Sequence, residues 1–291
     1  MVDDILGDVR SHVRDQENLT HLTASIGAAD TSFTVSSTAG LSRGRVQIGD
    51  EILWVDSADS QGTTATVSPF GRGMDGTTAA SHSSGDMVTI SPLFPRHVVK
   101  AQINRAIRTV GTQLYGVATT TLTPSATAYI YELPAAVRDV LSVRVSTTLD
   151  GGASVFLRAW SLDKNAPTTV SSTGKALAIL DGVFASPTQI DVVYSTDPLT
   201  LSADGDDFTD SLLPASAEDV VTLLVESRML ATVEASAIAP RSVESGALAS
   251  KYPPGPGLNQ SKYLYQLHVA RLAEERRRLL NASSRRMSYQ R

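Results

Sequence analysis

Cysteine is absent from this 291-residue chain. That removes disulfide scaffolds, thiolate zinc sites and cysteine nucleophiles together. It leaves the compartment open, because reduced cytosol and disulfide-free virions both allow it. Aromatic residues make up only 5% and charged residues 19%. No apolar run approaches the roughly 18 residues needed to cross a bilayer. The N-terminus, Met-Val-Asp-Asp, is acidic where a signal peptide is basic, and no apolar stretch follows it. The expectation is a soluble protein that does not use the usual export route.

What is present is enough to fold. Hydrophobic residues reach 42%, which excludes a disordered chain, and the length suggests two compact domains. Ser and Thr together supply about a fifth of the residues. The net charge of −5 is unevenly spread. Residues 271–291 carry Arg271, Arg276, Arg277, Arg278, Arg285, Arg286 and Arg291 against Glu274 and Glu275, a net +5, which leaves −10 on residues 1–270. An acidic body with a basic tail suggests that the tail meets a negative surface. The same arginines also suit the C-terminal end of a helix.

Periodicity divides the chain. Val2, Ile5, Leu6, Val9 and Val13 share one helical face over 2–17. From about Leu19 the pattern alternates, over 31–37, 45–48, 51–56, 63–68 and 86–91, with glycines between. Pro95 then opens a helix to about 115, striped by Val99, Ile103, Ile107, Val110 and Leu114. Strand patterns return over 119–123, 127–132, 140–147, 154–160, 176–180 and 189–194. A third helix follows Pro214 over 216–238, with Ser216 and Asp219 at capping-box spacing. A Pro/Gly linker occupies 240–258, and a last helix covers 259–281.

The implied domains are 1–19 (helix), 20–92 (inserted β module), 93–117 (helix), 118–210 (second β module), 211–239 (helix), 240–258 (linker) and 259–291 (helix and arginine-rich tail). Each amphipathic stripe needs a partner. The expected fold class is therefore α+β: a helical bundle from four separated helices, with two inserted sandwich- or barrel-like β modules and an extended basic C-terminal tail.

Candidate chemistry is thin. His12, His21, His82, His97 and His268 include no i, i+4 pair on a helix, and each reads as an ordinary surface or core histidine. Neither a Gly-x-Ser-x-Gly elbow nor a Walker phosphate loop occurs. Gly71-Arg-Gly-Met-Asp-Gly76 fits Gly-x-Gly-x-x-Gly by letter, but it lacks a βαβ setting. Asp204, Asp206, Asp207 and Asp210 form the best hard-cation candidate, though without a glutamate at the twelfth loop position, so a solvated acidic loop is the simpler reading. Trp54 and Trp160 fall in expected strands and read as core. No enzyme, cofactor or metal is expected.

Three stretches share a familiar form: Ser32-Phe-Thr-Val-Ser-Ser-Thr-Ala-Gly-Leu41, Val46-Gln-Ile-Gly-Asp-Glu-Ile-Leu53, and Gly71-Arg-Gly-Met-Asp-Gly-Thr-Thr-Ala-Ala-Ser-His82 with Gly85. Together they resemble a short β module of tailed-bacteriophage structural proteins, particularly neck and tail components. Gly49-Asp50 reads as its hairpin turn, and Gly71 and Gly73 as positions of positive φ. The rest resembles a head-to-tail connector adaptor: Pro95–Leu114 looks like its first bundle helix, Leu213–Asp219 like the acidic start of a later one, and the arginine-rich end like an arm that reaches the portal.

The resemblance implies a structural virion protein, made in the host cytoplasm and placed in the neck between capsid and tail. It implies a homo-oligomeric ring, twelve-fold like the portal, that touches the portal protein above and a stopper or terminator below. Genomic DNA passes through without specific binding, and no membrane is involved. Arg271, Arg276, Arg277, Arg278, Arg285, Arg286 and Arg291 are the expected portal interface. Asp204, Asp206, Asp207 and Asp210 are expected on the channel or downstream face, where negative charge keeps phosphates from being gripped. The competing readings are a tail terminator or minor tail protein, and a carbohydrate-binding receptor protein.

Overall fold

The structure, a computed structural model, describes residues 1–13, 18–60, 62–147, 154–180, 182, 184, 188–202, 206–241 and 256–282. Among these residues are four α-helices and thirteen strands in three sheets. The helices are α1 (Val2–Val13), α2 (Arg96–Val110), α3 (Glu218–Arg241) and α4 (Pro256–Ala282). Contacts divide the chain into two units. One holds Met1–Arg105 and Thr222–Leu267, the other Ala106–Val221 and His268–Arg291.

The first unit contains a six-stranded antiparallel sheet. Its strands are β1 (Asn18–His21), β2 (Ser32–Thr34), β3 (Gly44–Ile48), β4 (Glu51–Ala58), β5 (Thr64–Val67) and β6 (Met87–Ile90), in the order β1-β6-β3-β4-β5-β2. The sheet curls until its outer strands meet: Leu22 bridges Val35, Thr23 N–H donates to the Thr34 carbonyl at 2.9 Å, and Ser36 N–H to that of His21 at 3.0 Å. Curling covers the sheet edges and surrounds a core that includes Leu22, Phe33, Val35, Val46, Ile48, Leu53, Val55 and Val88. The β3–β4 hairpin turns at Gly49-Asp50, with Gly49 at φ +56°.

The second unit is a sandwich. The four-stranded sheet runs β10 (Ser154–Phe156), β9 (Asp139–Thr147), β13 (Thr188–Thr196), β7 (Gly116–Leu122). The three-stranded sheet runs β11 (Trp160–Asp163), β12 (Ala176–Ile179), β8 (Ile130–Glu132). Val143, Val145, Ile190 and Val192 from the first sheet meet Tyr131, Leu177 and Ile179 from the second in one core.

This overturns the expected fold class. Helices occur close to the spans that periodicity gives, but they do not make a four-helix bundle into which β modules are inserted. The chain is strand-rich. An amphipathic stripe states that a helix needs a partner without stating which. The first turn of α2 takes the β3–β4 hairpin: Arg96 N–H donates to Gln47 Oε1 at 3.2 Å, and Arg96 and Lys100 both pair with Asp50. Arg96 also pairs with Asp3 of α1.

The α3–α4 pair is held by side chains set into a narrow seam. Ser261, Leu264, His268, Leu272 and Glu275 are the buried residues among the described side chains of α4, at heptad-like spacing. Within the first unit Ser261 Oγ donates to the Ser227 carbonyl at 2.7 Å. Within the second, His268 Nδ1 donates to the Val220 carbonyl at 2.9 Å and Ser216 Oγ to Glu275 Oε2 at 2.8 Å.

Candidate functional site

The densest polar cluster lies in the first unit, around one carboxylate. β4 begins at Glu51, whose neighbours Ile52 and Leu53 are fully buried, and the Glu51 side chain itself is 0% exposed. A buried carboxylate must be compensated. Arg72 supplies the charge through a bidentate pair, Nε to Oε1 at 2.7 Å and Nη2 to Oε2 at 2.8 Å. Gly73 N–H donates to Oε1 and Ala80 N–H to Oε2, both at 3.0 Å, and His82 Nε2 donates to Oε2 at 2.8 Å. Burial alone would raise the Glu51 pKa. The bonds from Arg72, Ala80, His82 and Gly73 outweigh it and hold the group at about 2.

Arg72 is equally committed. Besides its two bonds to Glu51, it donates to the carbonyls of Gly27 at 2.7 Å, Asp30 at 3.0 Å and Ala80 at 2.6 Å. Five donors thus serve five bonds, the full capacity of a guanidinium. The carboxylate accepts five bonds and has no oxygen left for a substrate. The cluster is therefore built to hold backbone, and it has no free valence for acid–base work.

What it holds is the long connection between β5 and β6. That stretch has little ladder pairing, and its buried N–H and C=O groups need partners. Glu51 and Arg72 provide them. Thr77 adds a second tie, its Oγ1 accepting from Ile52 N–H at 3.1 Å and donating to the Met74 carbonyl at 2.7 Å.

The glycines divide the remaining work. Gly73 sits at φ +60°, as expected. Gly71 has no positive φ; a Cβ there would meet the Trp54 carbonyl oxygen at 2.7 Å. The requirement at Gly71 is space for a close backbone crossing. The Gly71–Gly76 letters thus encode a loop clamp in place of a dinucleotide site, with only a three-residue 3₁₀ turn at Met74–Gly76 where a phosphate-binding helix would start.

Of the other histidines, His21 is hydrogen-bonded to Ser36 and His268 lies in the α3–α4 seam. Burial lowers the pKa of His97. The side chain of His12 lies outside the described residues.

The expected portal arginines are divided. Arg271 pairs with Asp219 at 2.7 Å, with Glu274, and with Glu275 at 3.6 Å, and the bonds to Asp219 and Glu274 hold its pKa above the usual value. Arg276, Arg277 and Arg278 lie exposed along α4, Arg278 at 3.7 Å from Glu275. Arg285, Arg286 and Arg291 lie outside the described residues, as does Asp204. Asp206 Oδ2 accepts from Ser202 N–H at 2.6 Å and Asp210 Oδ2 from Asp207 N–H at 2.8 Å, so these carboxylates cap a turn. Among the described residues no group of three metal-ligating side chains forms, and no helix is long and apolar enough to cross a membrane.

The Glu51–Arg72–His82 clamp is what sequence reasoning missed. Its signal was present as a lone glutamate between a hairpin turn and an apolar strand, matched by an arginine between two glycines. No protein-family model matches the chain, and no curated protein does.

Proposed function

We propose that the chain is a structural virion protein of a tailed phage, a head-to-tail adaptor. In this reading copies form a twelve-fold ring in the neck, dock to the portal, meet a stopper or terminator below, and extend the channel through which DNA passes. One observation supports it. Every residue of the clamp, Glu51, Arg72, Gly73, Ala80 and His82, falls within the stretches that carry the likeness to the phage β module. The likeness therefore falls on residues the fold cannot exchange freely, while the surfaces that meet partners can vary around them. The reading rests on this module and not on a helical bundle, which the chain does not form.

Charge suits the same role. A body at −10 repels phosphates, and a conduit must not grip the DNA it passes. The deciding experiment is a two-dimensional class average of the protein in its particle or self-assembled ring. Twelve-fold symmetry is the expected result. Six-fold or three-fold rings would instead assign a tail terminator or minor tail protein.

One observation favours the carbohydrate-binding alternative. Thr121, Asp191, Arg144 and Phe156 stand side by side in register across all four strands of the larger sandwich sheet. Thr121 Oγ1 and Gln189 Nε2 both donate to Asp191 Oδ1 at 3.0 Å, and the Arg144 guanidinium lies 4.5 Å from the Phe156 ring centroid. Such a row combines a hydroxyl, a carboxylate, a guanidinium and an aromatic ring. Saturable binding to host cell-wall glycans, lost in Asp191→Ala, would favour that reading over the adaptor.

A further inference from the structure

A groove of about 370 Å³ lies between α3 and α4 in the first unit, lined by Ser227, Arg228 and Ala231 on one side and Ser261, Lys262, Tyr265 and Gln266 on the other. Its polar edge is cationic. Arg228 and Lys262 line it, and Arg105 lies near enough to Arg228 to repel it. None of the described lining residues is acidic. Burial, and then the charge of Arg105, lower the pKa of Arg228, and Tyr265 offsets part of this. A groove edged by Arg228 and Lys262 beside the Tyr265 side chain is suited to an anionic segment.

The chain carries such a segment. Asp206 and Asp207 lie on the turn that leads into the Phe208–Ser211 3₁₀ helix, and Asp210 lies within that helix. Asp207 and Asp210 are exposed, and Asp207 N–H is fastened to Asp210 Oδ2, so the turn is ordered by its own bonds. A pre-ordered acidic turn loses little entropy on docking.

We propose that the α3–α4 groove is the docking site for the Asp206–Asp210 turn of a second copy of this chain. The contact joins two different surfaces, so it is heterologous and propagates from copy to copy into a ring or a filament. It rests on the adaptor reading in one respect, that copies of the chain assemble side by side. It also moves the acidic turn from the channel or downstream face, where the resemblance put it, to the contact between neighbours.

The test is a charge swap on the whole protein, read by sedimentation velocity at low and high salt without portal present. Self-association that weakens with salt is expected for the wild type. Lys262→Glu and Asp207→Lys should each weaken it about tenfold or more, and the double variant should recover most of the loss, as measured couplings of close interfacial charge pairs allow. Lys262 and Asp207 are exposed, and circular dichroism checks that each variant is folded. A wild type that stays monomeric at every concentration, single variants without effect, or a swap that fails to restore association would each overturn the proposal. Saturable binding of inorganic phosphate to a monomeric wild type would assign the groove to a free anion instead. Portal docking is a separate assay, so loss of this contact and failure of the adaptor reading register independently.

Discussion

Glu51 shows why a buried ion pair can organise a loop without being a large net source of stability. Removing a carboxylate and a guanidinium from water costs several kcal/mol each, and their attraction roughly repays it. The gain lies in what the pair then orients: two loop N–H groups on the carboxylate and three carbonyls on the guanidinium. Breaking it is costly because Arg72, only 9% exposed, would keep its charge without a counter-ion. Glu51→Gln should therefore destabilise the protein by about 3–5 kcal/mol at pH 7, measured by denaturant unfolding followed by tryptophan fluorescence. The pH dependence has a definite sign. The folded pKa of about 2 lies below the ordinary 4.5. The stabilisation is therefore complete above pH 4.5 and is lost as pH falls towards 2, by up to about 3 kcal/mol. A midpoint that does not move between pH 5 and pH 2.5, beyond the shift shown by Glu51→Gln, would contradict this role.

At the scale of elements, a second carboxylate behaves in the opposite way. Glu226 of α3 is buried, 5% exposed, with Asp8 of α1 beside it. Burial, then the charge of Asp8 and a hydrogen bond with it, raise its pKa to about 7. The folded state then binds its proton more tightly than the unfolded state does. The stabilisation is full below about pH 4.5 and disappears as pH rises through 7. Glu226→Gln keeps a hydrogen-bonding group at this helix contact and removes the ionisation. It should raise the thermal midpoint at pH 8, by the equivalent of up to about 3 kcal/mol, and change it little at pH 5. An equal shift at both pH values would mean that packing, and not the proton, controls the contact.

The same scale shows what was legible in the sequence. Helices α1 to α4 follow from apolar spacing, because burial of one face imposes a 3.6 period whatever covers that face. Most strands follow from alternation, as in β9, or from a short apolar run, as in β4. β1 was not legible: Asn18–His21 is four residues long and has one buried position, Thr20. Its strand character comes from β6 beside it. The fold class failed for a related reason, since periodicity records that a face is buried and says nothing of its partner. The clamp was hidden because Arg72 and His82 lie 21 and 31 residues from Glu51, and the three side chains meet only when the sheet curls.

For the whole molecule, the division between an acidic body and a basic end sets the last test. Arg271 is tied to Asp219, Glu274 and Glu275 and so helps seat α4; on the adaptor proposal the partner contact falls to the arginines beyond it. Exposed arginines gain little from isolated surface pairs, so a cluster on one segment is better suited to a multivalent contact with an acidic face. Deleting residues 281–291 removes Arg285, Arg286 and Arg291 while keeping the α4 seam from Ser261 to Glu275. The truncated protein should unfold at the same temperature as the full chain, because no described core residue is lost. On the adaptor proposal it should fail to dock on portal-bearing capsids in a pull-down or particle-counting assay, and docking of the full chain should weaken as salt is raised. Unchanged docking by the truncated protein would place the portal contact elsewhere, with the exposed Arg276, Arg277 and Arg278 of α4 the next residues to reverse in charge.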